Sequence, residues 1–235
     1  TVQLWGQMMW RPTTNDLNYL ADPLEWSSVP GRKNNSINAA WTHTYQYLHG
    51  SGRYTISARA PFMAKDGLPF SYSYTQLEAV NYSMLDKLEI RTRFMGRWGL
   101  GRQMPYESML YMGGANPEQQ MEDKYTRSIG FTPNDWRGTS LYDVNHWQQG
   151  GGLNLRGYAG YFAPDEHNTG LLTGYKGRSG VGANLEVGIS NYLQWRPKLT
   201  RNWLRADVYA FADAGVMELS SYPTYNFRIT TPTST

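Results

Sequence analysis

The chain has no cysteine, no long apolar run and no block of one charge, and each absence narrows what it can be. A spanning helix needs roughly 20 consecutive apolar residues. None occurs here, and a mean hydropathy of −0.61 argues against a helical membrane protein. The formal charge is only +3, with Lys and Arg scattered among strand-like segments, so nucleic acid is not an expected partner. Lack of cysteine suits an outer-membrane protein as well as a cytosolic one and leaves the redox compartment open. There is no His-Glu-x-x-His, no phosphate-cradling glycine loop before a helix and no serine nucleophile elbow. The four histidines, His43, His49, His146 and His167, lack the spacing of metal ligands. Asp165-Glu166-His167 reads as a solvated loop tip. The expectation is a chain with no catalytic residues, no cofactor and no metal. Residue 1 already opens a strand-like run, so the sequence is expected to be a mature protein or a fragment.

What the chain has is aromatics, 18 Tyr and 9 Trp, set in two-residue alternations. Val2, Leu4, Gly6, Met8 and Trp10 share one parity against Gln3 and Gln7, which predicts a strand over residues 1 to 10. Residues 11 to 36, with Pro12, Pro23, Pro30 and the run Gly31-Arg32-Lys33-Asn34-Asn35-Ser36, predict a long loop. From Ile37, Trp41, His43, Tyr45 and Tyr47 alternate with Ala40, Thr42, Thr44 and Gln46. After Gly50-Ser51-Gly52 come Tyr54, Ile56, Ala58, Ala60 and Phe62 against Arg53, Thr55, Ser57 and Arg59, which predicts a hairpin. A less regular strand is expected from Phe70 to Met84. A strong one follows, with Leu88, Ile90, Thr92, Phe94 and Trp98 opposite Glu89, Arg91, Arg93 and Arg97. Strands of ten or more residues exceed the roughly five or six usual in soluble proteins. A polar lumen behind a lipid-facing apolar band therefore competes with the wetted face of a soluble sandwich.

Residues 115 to 149 break this rhythm and read as a long extension leading into Gly150-Gly151-Gly152-Leu153-Asn154-Leu155-Arg156-Gly157-Tyr158. Long insertions in barrels sit on the extracellular side, and residues 115 to 168 are expected there. A flexible Thr169 to Gly182 region should precede two more strands. The first has Ala183, Leu185, Val187 and Ile189 against Asn184, Glu186 and Ser190. The second has Leu204, Ala206, Val208, Ala210, Ala212 and Ala214 against Arg205, Asp207, Tyr209, Phe211 and Asp213. Glu186 and Asp213 both fall on the polar parity. One weak strand is expected around Tyr225 to Ile229.

Three of these pieces, taken in order, resemble a known family. Gly151-Gly152 followed by Leu155-Arg156-Gly157-Tyr158 is similar to the arginine-glycine-aromatic signature of the BamA-like outer-membrane assembly superfamily, also called bacterial surface antigen barrels. Asn184-Leu185-Glu186 opens a strand as in that family, and Phe211-Ala212-Asp213-Ala214-Gly215 is similar to its Phe-x-Asp-x-Gly strand. The resemblance covers roughly residues 85 to 218. It implies an all-β fold, a 16-stranded antiparallel transmembrane β-barrel whose arginine loop folds into the lumen, where Arg156 meets Glu186 and Asp213. With about eight to ten strands in view, the chain, residues 1 to 235, is expected to cover only part of such a barrel. The implied location is the outer membrane of a Gram-negative bacterium, in contact with outer-membrane lipid and with other outer-membrane or periplasmic proteins. The implied role is non-catalytic, in protein insertion or translocation. The passage from Gly114-Ala115-Asn116-Pro117 to the arginine loop also resembles barrel domains that follow gluzincin-type peptidases in some Bacteroidetes proteins, which would make the barrel an anchor for an exported metallopeptidase. A soluble antiparallel protein binding carbohydrate or protein through exposed Tyr and Trp is the remaining alternative.

Overall fold

The alternating segments fold as long strands, because a period of two places one set of side chains on each face of a pleated sheet. The computed structural model describes residues 1–10, 33–62, 70–101, 104–122, 150–156, 158, 162–164, 172–174, 176–193 and 207–219. Strands β1 (Val2–Trp10), β2 (Lys33–Tyr47), β3 (Gly50–Pro61), β4 (Tyr72–Leu85) and β5 (Leu88–Gly101) form an antiparallel meander. Two-residue turns at Leu48-His49 and Asp86-Lys87 close two of its hairpins. Asp86 has a φ of 55°, a conformation that aspartate tolerates.

Strands β6 (Leu110–Tyr111), β7 (Phe162–Pro164), β8 (Leu172–Gly174), β9 (Lys176–Gly188) and β10 (Tyr209–Leu219) follow. The main sheet has eight strands, in the order β1-β2-β3-β4-β5-β9-β10, with β6 paired to the start of β9. β7 and β8 make a separate antiparallel pair. Among the described residues the helices are short: α1 (Pro117–Glu122), α2 (Ser190–Leu193) and a 3-10 turn, Tyr106–Ser108. Among the described residues no helix is long and apolar enough to cross a membrane.

The described residues fall into two compact units. The first holds β1 to β5, β9 from Ser179 onward and β10 up to Val216; the second holds the described residues between Met104 and Arg178, with Met217 to Leu219.

In the first unit the usual polarity of a sheet is inverted. Asn34 (1%), Ser36 (2%), Arg59 (4%) and Arg97 (5%) are buried, whereas Leu4 (75%), Trp98 (71%) and Val216 (71%) are exposed. The inversion runs along single strands. In β2, Asn34, Ser36, Asn38 and Ala40 are buried while Ile37, Ala39 and Trp41 between them are exposed. In β5, Met95, Arg97 and Gly99 are buried while Phe94, Trp98 and Leu100 are exposed. In β9, Asn184 is buried between exposed Ala183 and Leu185.

Several expectations are corrected. No closed barrel is formed among the described residues: β1 and β10 are the two edges of the sheet. Alternation reports which face of a strand is apolar, and carries no information on whether the first and last strands meet. Lys33 to Ser36 belong to β2 and not to the loop. The turn-type side chains of Asn34 and Ser36 mislead because the face they occupy is a polar interior. β9 begins at Lys176, inside the stretch read as flexible. Its Gly177 sits where a Cβ would fall on the Glu218 carbonyl of β10, a close backbone approach that explains a glycine within a strand. β9 ends at Gly188, and Ser190 opens α2 instead of extending the strand. β10 starts at Tyr209, with Asp207 and Val208 ahead of it. The expected strand at Tyr225 to Ile229, most of the 115–149 extension and Leu204 to Ala206 lie outside the described residues.

Candidate functional site

Two constructions carry the chemistry: the polar face of the first unit and the arginine loop of the second. On the polar face, side chains join neighbouring strands in sequence. Asn34 Oδ1 accepts from Arg59 Nη2 at 3.2 Å and from the Tyr72 hydroxyl at 2.9 Å, and the Arg59 guanidinium lies 5.1 Å from the centre of the Tyr72 ring. Arg97 donates through Nε (2.9 Å) and Nη2 (2.8 Å) to Gln76 Oε1 while stacking 4.2 Å from the centre of Tyr74. The Arg97 guanidinium held in this way keeps Nε and Nη2 engaged where water is scarce, whereas among the described residues the buried Arg59 Nε makes no hydrogen bond.

The longest connection crosses four strands. Arg93 Nε donates to Glu78 Oε1 at 2.7 Å and its Nη1 to Asn184 Oδ1 at 3.3 Å. Asn184 Nδ2 in turn donates to Asp213 Oδ1 at 3.1 Å. β4, β5, β9 and β10 are thereby linked through a cation, an amide and two carboxylates. The amide works as a two-way adaptor, offering its oxygen to the cation and its NH2 to the anion.

Glu186 shares this face, since Arg91 is its register partner and Arg93 that of Asn184. Beside it lies a cleft of about 430 Å3, whose lining includes Glu89, Arg91, Glu186, Asp207 and Tyr209. Arg91 pairs with Glu89 at 3.4 Å in an exposed setting, a contact worth little in stability. Asn191 of α2 donates to Glu89 at 3.2 Å. Among the described residues no group of three or more His, Asp or Glu could hold a metal ion.

In the second unit, the Gly150 to Arg156 loop is folded onto the segment that precedes it. Leu153 N–H donates to the Tyr111 carbonyl and Leu155 N–H to the Met112 carbonyl, both at 2.9 Å. Leu153 and Leu155 are buried, as are Met104, Met109, Leu110, Tyr111 and Ala115 among the described residues of this unit. Gly151 (φ 150°), Gly152 (φ 50°) and Asn154 (φ 55°) supply the left-handed turns. A Cβ on Gly152 would fall on the carbonyl oxygens of Tyr111 and Gly114, so only glycine fits there. Arg156 follows as a half-buried residue. Tyr158 is exposed, with its N–H donating to the Leu155 carbonyl at 3.3 Å. Gly157 lies outside the described residues.

Of the residues singled out in sequence, Glu186 and Asp213 share the polar face of the first unit, while Gly151, Gly152, Leu155, Arg156 and Tyr158 belong to the second. Phe211 and Gly215 are exposed on β10, Phe211 with its ring centre 6.4 Å from that of Tyr209. Sequence reasoning missed Asn34, Glu78 and Gln76 as members of the polar network. The signal for Asn34 was present: the alternation of β2 continues backward through Asn38, Ser36 and Asn34 if polar residues are counted as the inward set.

Comparison with protein-family models, with curated proteins and with solved structures finds no match for this chain.

Proposed function

We propose that this chain is the membrane-embedded part of a Gram-negative outer-membrane β-barrel of the BamA-like type, acting without covalent catalysis in the insertion or translocation of other proteins. The observation that carries the membrane assignment is the inverted sheet. In water, a sheet that buries Arg59 and Arg97 while presenting Trp98, Leu100 and Val216 to solvent forgoes burial free energy, about 25 cal/mol per Å2 of apolar surface. In lipid the same arrangement is the favourable one.

Dimensions agree with this reading. Outward residues on β5 run from Leu88 to Leu100, roughly 40 Å of strand at 3.4 Å per residue. A tilt of about 40° makes that a band of about 30 Å, near the thickness of a hydrocarbon core. Trp41, His43 and Tyr54 cluster on the outward face of β2 and β3, with Trp41 and Tyr54 edge to face at 5.4 Å. Tyr45 and Tyr47 lie beyond them toward the turn, where Tyr47 bonds Asn81 and Ser83. Apolar bodies with wet hydroxyl tips suit the membrane interface.

Closure belongs to the proposal, because unpaired edges at β1 and β10 are intolerable in hydrocarbon. So does the lock, in which Arg156 forks onto Glu186 and Asp213. The role in handling other proteins rests on the order of the sequence motifs alone. The test is fractionation of cells expressing the whole chain. The protein is expected in the outer-membrane pellet, released by detergent and not by salt. Recovery in a salt-washed soluble fraction would refute the membrane reading.

A further inference from the structure

The loop that presents Arg156 is templated by the segment before it. Residues Asn116 to Gln119 make a reciprocal cap at the start of α1: Gln119 N–H donates to Asn116 Oδ1 at 2.8 Å, and Asn116 N–H donates to Gln119 Oε1 at 3.0 Å. Such a pair satisfies two donors that a helix start otherwise leaves open, and Pro117 occupies the first helical position, where its missing N–H costs nothing. Asn116 has a second task, since its Nδ2 donates to the Met109 carbonyl at 2.7 Å. That bond ties the helix start back to the residue just before β6 and holds the Met109 to Ala115 chain in a tight bend.

The loop lies on this bend. Its two amide bonds land on Tyr111 and Met112, Gly152 nests against the carbonyls of Tyr111 and Gly114, and Gly151 passes over Ala115 and the Gln119 amide oxygen. The bend is fixed from its other side too: Leu110 and Tyr111 pair with Gly177 and Lys176, and the buried Lys176 ammonium sits 4.4 Å from the centre of the Tyr106 ring and 5.6 Å from that of Tyr111. A cation over two aromatic faces in a water-poor setting is a strong contact for its size.

We infer that the Met104 to Glu122 segment is a preformed cradle, and that Gly152 and Gln119 are positioning residues that set where the Arg156 side chain departs from the backbone. The loop is thus ordered by its own neighbouring segment, so little further ordering entropy is lost in holding Arg156 where it is presented. What Arg156 engages rests on the lumen-lock reading above; the cradle itself does not.

Amide hydrogen exchange on the whole folded chain tests it. Leu153 and Leu155 amides are expected to exchange about tenfold or more slowly than unprotected amides. Gly152→Val should abolish that protection while the β2 to β5 amides stay protected. Gln119→Leu should do the same, and Gln119→Glu, which keeps the accepting oxygen, should retain it. If Gly152→Val does not fold, the Gln119 pair decides. Fast exchange at Leu153 and Leu155 in the parent chain, or protection that survives both Gly152→Val and Gln119→Leu, overturns the cradle. Arg156→Ala, measured in parallel by heat resistance of the barrel band, separates the two ideas. No effect there with Gly152→Val still releasing the loop leaves the cradle standing and removes the lock.

Discussion

Placing an arginine at Ile56 distinguishes a lipid-facing sheet from a water-facing one by a wide margin. Ile56 is exposed near the middle of β3, paired with Trp41 on one side and Leu77 on the other, and both of those are exposed as well. In a soluble protein an exposed site of this kind tolerates substitution within about 0.5 kcal/mol. At the midplane of a barrel in lipid, arginine on the outward face costs about 2 to 4 kcal/mol, because the charge must either stay in hydrocarbon or draw water and headgroups inward. At 1.36 kcal/mol per decade, that lowers the folded-to-unfolded ratio roughly 30- to 900-fold. With an m-value near 3 kcal/mol per M, a loss of about 3 kcal/mol moves the urea midpoint by about 1 M. The assay is urea unfolding in lipid vesicles, followed by tryptophan fluorescence and by heat-resistant mobility on semi-native gels. Ile56→Ala is the matched control, since it removes the same side chain without adding charge. A midpoint for Ile56→Arg that matches this control would show that the apolar face does not meet lipid, and the barrel proposal would fall with it.

The inner face should respond with the opposite chemistry. Arg97→Ala is expected to cost about 1 to 3 kcal/mol in the same urea titration, because Gln76 loses two charged hydrogen bonds and Tyr74 its stacked cation; a loss below about 0.5 kcal/mol would deny that the network is dry. Asn184→Leu should be worse than Asn184→Asp at low pH and comparable at high pH, since a protonated aspartic acid can still donate to Asp213 whereas an ionised one repels it; identical pH profiles for the two variants would count against the adaptor role. Arg156→Ala is expected to lower the temperature at which the compact gel band is lost, and an unchanged band would remove the lock.

Sequence alternation is enough to find strands β1, β2, β3 and β5 and to pair β2 with β3, because a two-residue period with aromatics on one parity has few other solutions. It was also enough to put Glu186 and Asp213 on the polar parity. It fails at Lys33 to Ser36, where Asn and Ser read as turn formers, and at Lys176 to Gly182, where three glycines and two basic residues read as a flexible tract. At Asn34 and Ser36 an interior that is itself polar reverses the preference of small polar residues for water, and at Gly177 a close backbone approach to Glu218 requires the glycine. The capped helix start was missed although its signal is present: Asn116-Pro117-Glu118-Gln119 carries the cap, the proline and the returning glutamine at capping-box spacing. Its partnership with the Gly151-Gly152 turn could not be read, because a contact across more than thirty residues leaves no periodic trace.

The inverted polarity also decides where strand register is written. A shift of two residues between neighbouring strands keeps every outward side chain outward, and a uniform hydrocarbon surrounding barely distinguishes the two pairings. The hydrophobic pattern therefore rules out odd slips and leaves even ones nearly free. The polar face removes that freedom. A two-residue slip of β5 against β4 would in either direction take Arg97 off its register partner Gln76, and in one direction it would also carry Arg93 away from Glu78. Each broken contact leaves a charged or polar group buried without its partner, at about 1 to 3 kcal/mol apiece. Because Asn184 and Asp213 extend the same chain of contacts to β9 and β10, a correct pairing at β4 and β5 favours the correct one two strands away. The residues that look most like liabilities in a sheet, arginines among asparagines, glutamine and acids, are on this argument the ones that restrict its alignment.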